Sequence, residues 1–207
     1  MWARRGRLGL LGALMAASPM VSACGSAVAP STSQDAVHRG LQGLILHPQK
    51  PAPALALRNY TGGVVNLASF RGRAVLVTFL YTHCPNWCPL IAANLAAAQR
   101  QLGPTAGRVT IIAVTVDPTR DTPSAVRAFL DARDAGGRMY YLLGTRRQLA
   151  PVWKAWDVGV VVDKNRLTTG HSDIVYGVTA AGRLAVVYPP NFTPAQIVHD
   201  VPLLARG

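Results

Sequence analysis

The chain has 207 residues, half of them hydrophobic, with 21 basic against 9 acidic side chains and a formal charge of +12. That length supports one domain with a substantial core once the termini are set aside. The excess charge sits on scattered arginines (Arg58, Arg71, Arg100, Arg127, Arg146) with no dense run and no interleaved aromatics, which argues against nucleic acid as a partner.

In chain order, Arg4, Arg5 and Arg7 lead into the apolar stretch Leu8 to Met15, and small residues follow as far as Val21-Ser22-Ala23-Cys24. These are the three parts of an export signal. The apolar run is shorter than the roughly 20 residues of a membrane span. Ser22 and Ala23 ahead of Cys24 resemble a bacterial lipobox, with Val21 in place of the usual Leu. Residues 1–23 are therefore read as a lipoprotein signal peptide, with Cys24 as the lipid-attachment residue. An ordinary secretory signal and an uncleaved anchor are the alternatives. All three place the domain outside the cytoplasm, on the outer face of the bacterial cell membrane if anchored, where disulfides persist. Removing residues 1–23 lowers the charge from +12 to +9, which favours anionic lipid headgroups or an acidic face of a partner protein.

Residues 24–50 are rich in Ala, Ser, Pro and Gln without a sustained apolar period and read as a tether. His38 and His47 in it have no partner at ligand spacing. Residues 51–207 form the domain. Val64 to Leu67 is expected as a strand, and Ala74 to Leu80 as a continuous apolar strand buried on both faces. Pro89 suits the first turn of a helix that runs through Leu90 to Leu102 and stops at Gly103-Pro104. Val109 to Val116 is the next buried strand, and Asp121 or Thr122 caps a helix reaching Arg133. Met139 to Leu143 reads as a strand, Thr145 to Trp156 as a helix, and Ile174 to Val178 with Leu184 to Tyr188 as a hairpin. Thr193-Pro194 opens a last helix to Leu204. This order describes an α/β, thioredoxin-like three-layer sandwich with a central mixed β-sheet flanked by helices.

The chemistry-bearing stretch is Thr82-His83-Cys84-Pro85-Asn86-Trp87-Cys88-Pro89, where two cysteines follow the buried strand and precede a helix. Backbone N–H groups and the positive end of the helix dipole favour thiolate there, and thiolate is both nucleophile and metal ligand. A soft-metal site or a redox pair follows. A short structural disulfide and two buried apolar cysteines are the bland alternatives. His83 points away from Cys84 if the strand continues, and reads as site wall or exposed. His199 falls on the last helix and reads as surface. Asp117, Arg120 and Asp121 read as the turn and cap that begin the next helix. Phe79, Tyr81 and Trp87 are expected around the cysteines.

Phe79 to Pro89 resembles the F-G-Y-T-x-C-P-D-x-C-P motif of the Sco/SenC family, and Val114 to Pro123 is similar to its S-x-D-P-x-R-D-T-P. His171-Ser172 resembles the distal His in its D-H-[ST] setting. Asn86 stands where an acid is usual, Trp87 where Val or Ile is, Leu80 where Gly is, and Gly170 where Asp precedes the His. The resemblance implies a thioredoxin-like fold that binds copper, as Cu(I) or Cu(II), through Cys84, Cys88 and His171. It also implies partners: an apo cytochrome c oxidase subunit or another copper-carrier protein. Two thiolates and an imidazole form a soft set that suits Cu(I) and holds Cu(II) with an added ligand. With Gly170 in place of the acid, Asp173 is the candidate to hold the outer ring nitrogen of His171. A metallochaperone and a thiol-disulfide oxidoreductase, cycling Cys84 and Cys88 between dithiol and disulfide, use the same sulfurs. His171 separates them, since copper needs it and thiol exchange does not. A peroxide reductase is disfavoured because the proline of P-x-x-x-[TS]-x-x-C is missing ahead of Cys84.

Overall fold

The structure, a computed structural model, describes residues 40–207. The expected signal peptide, Cys24 and His38 lie outside the described residues. Among the described residues no helix is long and apolar enough to cross a membrane.

The order of elements is β1 (Leu44–Pro51), β2 (Ala56–Asn59), β3 (Val64–Asn66), β4 (Ala74–Leu80), α1 (Trp87–Gln101), β5 (Val109–Thr115), α2 (Pro123–Asp131), β6 (Tyr140–Leu143), α3 (Arg146–Ala155), β7 (Val160–Val162), β8 (Thr168–His171), β9 (Val175–Val178), β10 (Arg183–Tyr188) and α4 (Pro194–Leu204). Eight strands form one sheet in the order β1-β10-β9-β4-β5-β6-β2-β3, while β7 and β8 pair as a separate two-stranded sheet. Strands β4, β5 and β6 run parallel, and β9 lies antiparallel to β4. Every residue of β4 and β5 is buried, as their predominantly apolar runs require.

Side-chain alternation assigns the helices to layers. A Cβ on Gly177 of β9 would meet Val186 and Leu204, so that face of the sheet looks toward α4, against which α1 packs. The next residue back, Tyr176, faces the other way, and its ring meets Trp156, just beyond α3, and Phe79 of β4. Trp153 of α3 donates its indole N–H to the Thr115 carbonyl at 3.0 Å. Helices on both faces of a mixed sheet make the thioredoxin-like sandwich expected from the sequence.

The structure departs from the sequence reading in two places. The segment 24–50 was expected as tether, yet its last residues are structured. β1 pairs antiparallel with β10, Leu41 is buried, and the backbone N–H groups of Gln42 and Gly43 donate to the buried carboxylate of Asp200 on α4. Tyr188 donates to the same carboxylate at 2.7 Å. The domain thus includes residues from 41 onward, with His47 inside a strand. The second is an addition: the segment before the β9–β10 hairpin, to which the sequence assigned no element, contains β7 and β8.

Gly177 sits where sheet and helix come too close for a side chain, since a Cβ would lie 2.4 Å from Val186 Cγ1 and 3.1 Å from Leu204 Cδ1. Gly177→Ala should therefore destabilise the fold by about 1–3 kcal/mol through overpacking. Urea unfolding checks this: an unchanged midpoint would mean that Val186 and α4 yield freely at this position.

Candidate metal centre

Cys84 lies in the turn after β4 and Cys88 is the second residue of α1. Pro89 falls in the first turn, as expected, and because the helix starts at Trp87 the second cysteine belongs to that turn as well. Asn86, at the N-cap, makes no side-chain cap hydrogen bond. Instead the Cys88 N–H donates to Cys84 Sγ at 3.5 Å, so a sulfur takes one of the helix's orphan donors. Cys88 is fully buried and Cys84 partly so, and both thiols are free.

The two sulfurs differ in their environments. Hydrogen bonding from the Cys88 thiol, with support from His171 and the backbone N–H groups of Cys88 and Asn86, lowers the Cys84 pKa to about 3 against the penalty of burial. Burial, with the hydrogen bond to Cys84, pushes Cys88 up. Cys84 is the thiolate and Cys88 keeps its proton.

His171 ends β8 and reaches the pair from the opposite side, its Nε2 lying 3.3 Å from Cys88 Sγ. Its side chain is 1% exposed. Nδ1 lies 2.9 Å from the Ser172 carbonyl oxygen. A carbonyl only accepts, so Nδ1 carries a proton, and Nε2 is the nitrogen that faces the sulfurs. The outer holder of the ring is thus this carbonyl, and the expectation that Asp173 fills that role is overturned. Asp173 instead places Oδ1 3.1 Å from Nε2, the inner nitrogen. One donor atom from each of Cys84, Cys88, His171 and Asp173 lies within 4.8 Å of the others.

The remaining candidates separate cleanly. His83 and His199 are exposed, as expected, and neither they nor His47 join the cluster. Tyr81 packs edge-on against the His171 ring at 5.5 Å between centroids. Burial, with the nearby Cys84, pushes its phenol up to about 12. Trp87 is exposed beside Cys88, whereas Phe79 is a core residue that stacks on Trp156 and Tyr176.

Asp117, Arg120 and Asp121 do more than start a helix. The cap is Thr122, whose side chain accepts from the Ala125 N–H. The Asp121 carboxylate is buried and accepts from the Thr82 backbone N–H (2.9 Å), Thr82 Oγ1 (2.7 Å), Thr115 Oγ1 (2.6 Å) and Tyr141 Oη (2.9 Å). It therefore anchors the turn that carries Cys84. Arg120 pairs with buried Asp117 and donates to the Thr168 carbonyl at 2.7 Å, holding the strand that carries His171. Thr168 Oγ1 in turn donates to the Val116 carbonyl at 2.6 Å. The segment 117–121 grips both halves of the donor set. The sequence signal was present: two acids and an arginine directly follow a fully apolar strand, where burial forces each to find a partner.

A thioredoxin-like sandwich with two cysteines at a strand-to-helix junction and a histidine facing them defines a thiol-based metal or redox domain. A family model described as SCO1/SenC matches residues 48–206. The mitochondrial protein SCO2 homolog of Bos taurus is 30% identical over 152 residues, which are 70% of this chain and 56% of that protein. The chain therefore spans little more than half the length of that relative. Bradyrhizobium japonicum ScoI, in a structure with copper bound, is 28% identical with a TM-score of 0.65, covering 74% of this chain and 98% of that one. The thioredoxin domain of a thiol-disulfide oxidoreductase from Bacteroides vulgatus, 18% identical with a TM-score of 0.55 over 74% of this chain and 94% of its own, shares the fold. The chain belongs to the SCO1/SenC family.

Two measurements follow from this geometry. In the reduced protein, iodoacetamide should modify Cys84 well ahead of Cys88, at a rate nearly flat between pH 8 and pH 5. The lowered pKa keeps the thiolate populated throughout that range. A rate that titrates near the ordinary thiol value contradicts the assignment. Asp121→Ala leaves four donors without their acceptor, and should cost at least about 2 kcal/mol in urea unfolding. A loss under about 0.5 kcal/mol would show that these donors find other partners.

Proposed function

We propose that this chain is a copper metallochaperone that supplies, or matures, the copper centre of cytochrome c oxidase. Supporting the reading above all is the convergence of Cys84 Sγ, Cys88 Sγ and His171 Nε2 within one ion's reach. Two sulfurs and an imidazole nitrogen are a soft set, matched to copper and poorly matched to magnesium or calcium. The copper-bound relative and the family membership support the same metal.

On this reading copper is cargo. Cys84, already a thiolate, is the first donor. Cys88 releases its proton as it becomes the second, so uptake liberates protons. His171 closes the set from a separate hairpin, with its ring held by the Ser172 carbonyl. The recipient is an apo cytochrome c oxidase subunit or another copper carrier, met at the outer face of the cell membrane, where lipid on Cys24 would hold the chain.

A second reading rests on the polarisation of the cysteine pair. A partly exposed thiolate backed by a buried thiol is also the arrangement of a thiol-disulfide oxidoreductase, in which Cys84 attacks and Cys88 resolves. The two are separated by copper titration of the reduced full-length chain. Cys84→Ser and Cys88→Ser should each abolish tight binding. His171→Ala should weaken it at least tenfold while reduction of a model disulfide stays near wild type. Normal copper binding by His171→Ala with lost exchange activity would move the assignment to the oxidoreductase.

A further inference from the structure

The cluster contains one donor beyond the two sulfurs and the imidazole, and it stands where the family resemblance does not place an acid. The familial Asp position before the histidine is Gly170, whereas Asp173 lies two residues after it. Asp173 does not hold the outer face of the ring, because Nδ1 is committed to the Ser172 carbonyl. Its Oδ1 is buried, accepts no hydrogen bond, and lies 3.1 Å from Nε2. A carboxylate oxygen taken from water without a donor is costly unless a cation completes it. An oxygen of the same carboxylate lies within 4.8 Å of both sulfurs.

We propose that Asp173 is the fourth ligand of the copper site, an oxygen donor engaged by Cu(II) and dispensable for Cu(I). The inference rests on the copper reading above. Cu(I) is satisfied by soft, low-coordinate sets, and two thiolates with one imidazole suffice for it. Cu(II) prefers a tetragonal arrangement of four donors and accepts a hard oxygen. Asp173 also adds a third negative charge to the donor set, which lowers the electrostatic energy of the divalent ion more than that of the monovalent one. The carboxylate is thereby an oxidation-state selector built into the hairpin that also carries His171.

The test compares the full-length reduced chain with Asp173→Asn and Asp173→Ala. Cu(I) affinity is read by competition with a chromophoric Cu(I) chelator, and Cu(II) by its electron paramagnetic resonance spectrum, its absorption and competitive titration. Asp173→Ala should lose Cu(II) affinity at least tenfold and change the Cu(II) spectrum, while Cu(I) affinity stays within about threefold. A tenfold selective loss corresponds to a rise of about 59 mV in the one-electron midpoint of the bound copper. Asp173→Asn, which keeps the shape and removes the charge, should fall between. Circular dichroism of both variants establishes that they are folded. Equal loss of Cu(I) and Cu(II) would overturn the proposal and make Asp173 a positioning residue for His171. Unchanged Cu(II) spectra and affinity would overturn it outright. If the wild-type chain binds neither ion, the copper reading itself fails, an outcome distinct from loss confined to the Asp173 variants.

Discussion

The buried carboxylate of Asp121 joins four pieces of chain that would otherwise meet only at the end of the sheet: the turn after β4, the last residue of β5, the entrance to α2, and Tyr141 of β6. Three of its four donors are side-chain hydroxyls and one is backbone, and together they supply the hydrogen bonds that a buried carboxylate needs to remain worth its burial. The position of Cys84 follows from this arrangement. Its turn has no regular secondary structure, and Thr82, two residues upstream, is bound to Asp121 through both backbone and hydroxyl. The Arg120 arm of the same segment reaches the strand of His171. Donors drawn from a turn, a helix and a hairpin thus share one polar frame.

That frame explains how a site split between two sheets can be precise. β7 and β8 make no strand pairing with the main sheet among the described residues, so they are positioned by side chains and a few backbone contacts. Thr168 bonds to Val116, Arg120 to Thr168, and the Ser172 N–H to the Gly159 carbonyl at 3.1 Å. Tyr81 fills the space between Arg120 and the imidazole, its ring edge-on to His171 and 5.9 Å beneath the guanidinium. Such support around ligands orients them before a metal arrives.

Much of the fold was legible because the strands at its centre are buried on both faces and its helices carry their own start signals. β4 occupies the expected residues, and α4 begins after Thr193 with a capping box to Gln196. β1 was illegible because an edge strand with little burial shows no alternation, and its prolines and lysine resemble linker. β7 and β8 are short and half exposed, and the Asp163-to-Arg166 turn between them dominates their composition. In the site, Cys84 and Cys88 were legible from adjacency and His171 from resemblance. The placement of Asp173 was not. Which ring nitrogen faces inward was decided by the carbonyl of Ser172, and a backbone acceptor leaves no mark in the residue types.

β1 has a further consequence. It closes one side of an eight-stranded sheet, and along it Pro48 and Pro51 have no amide proton to offer, while the pairing to β10 shifts register between Ile45 and Lys50. The opposite margin is β3, three residues long. An open sheet invites a neighbouring chain to add itself wherever a long, regular edge is left unpaired. Here one border is interrupted by two prolines and a register shift, and the other lacks the length. Neighbouring copies are thereby hindered from pairing edge to edge through their backbones.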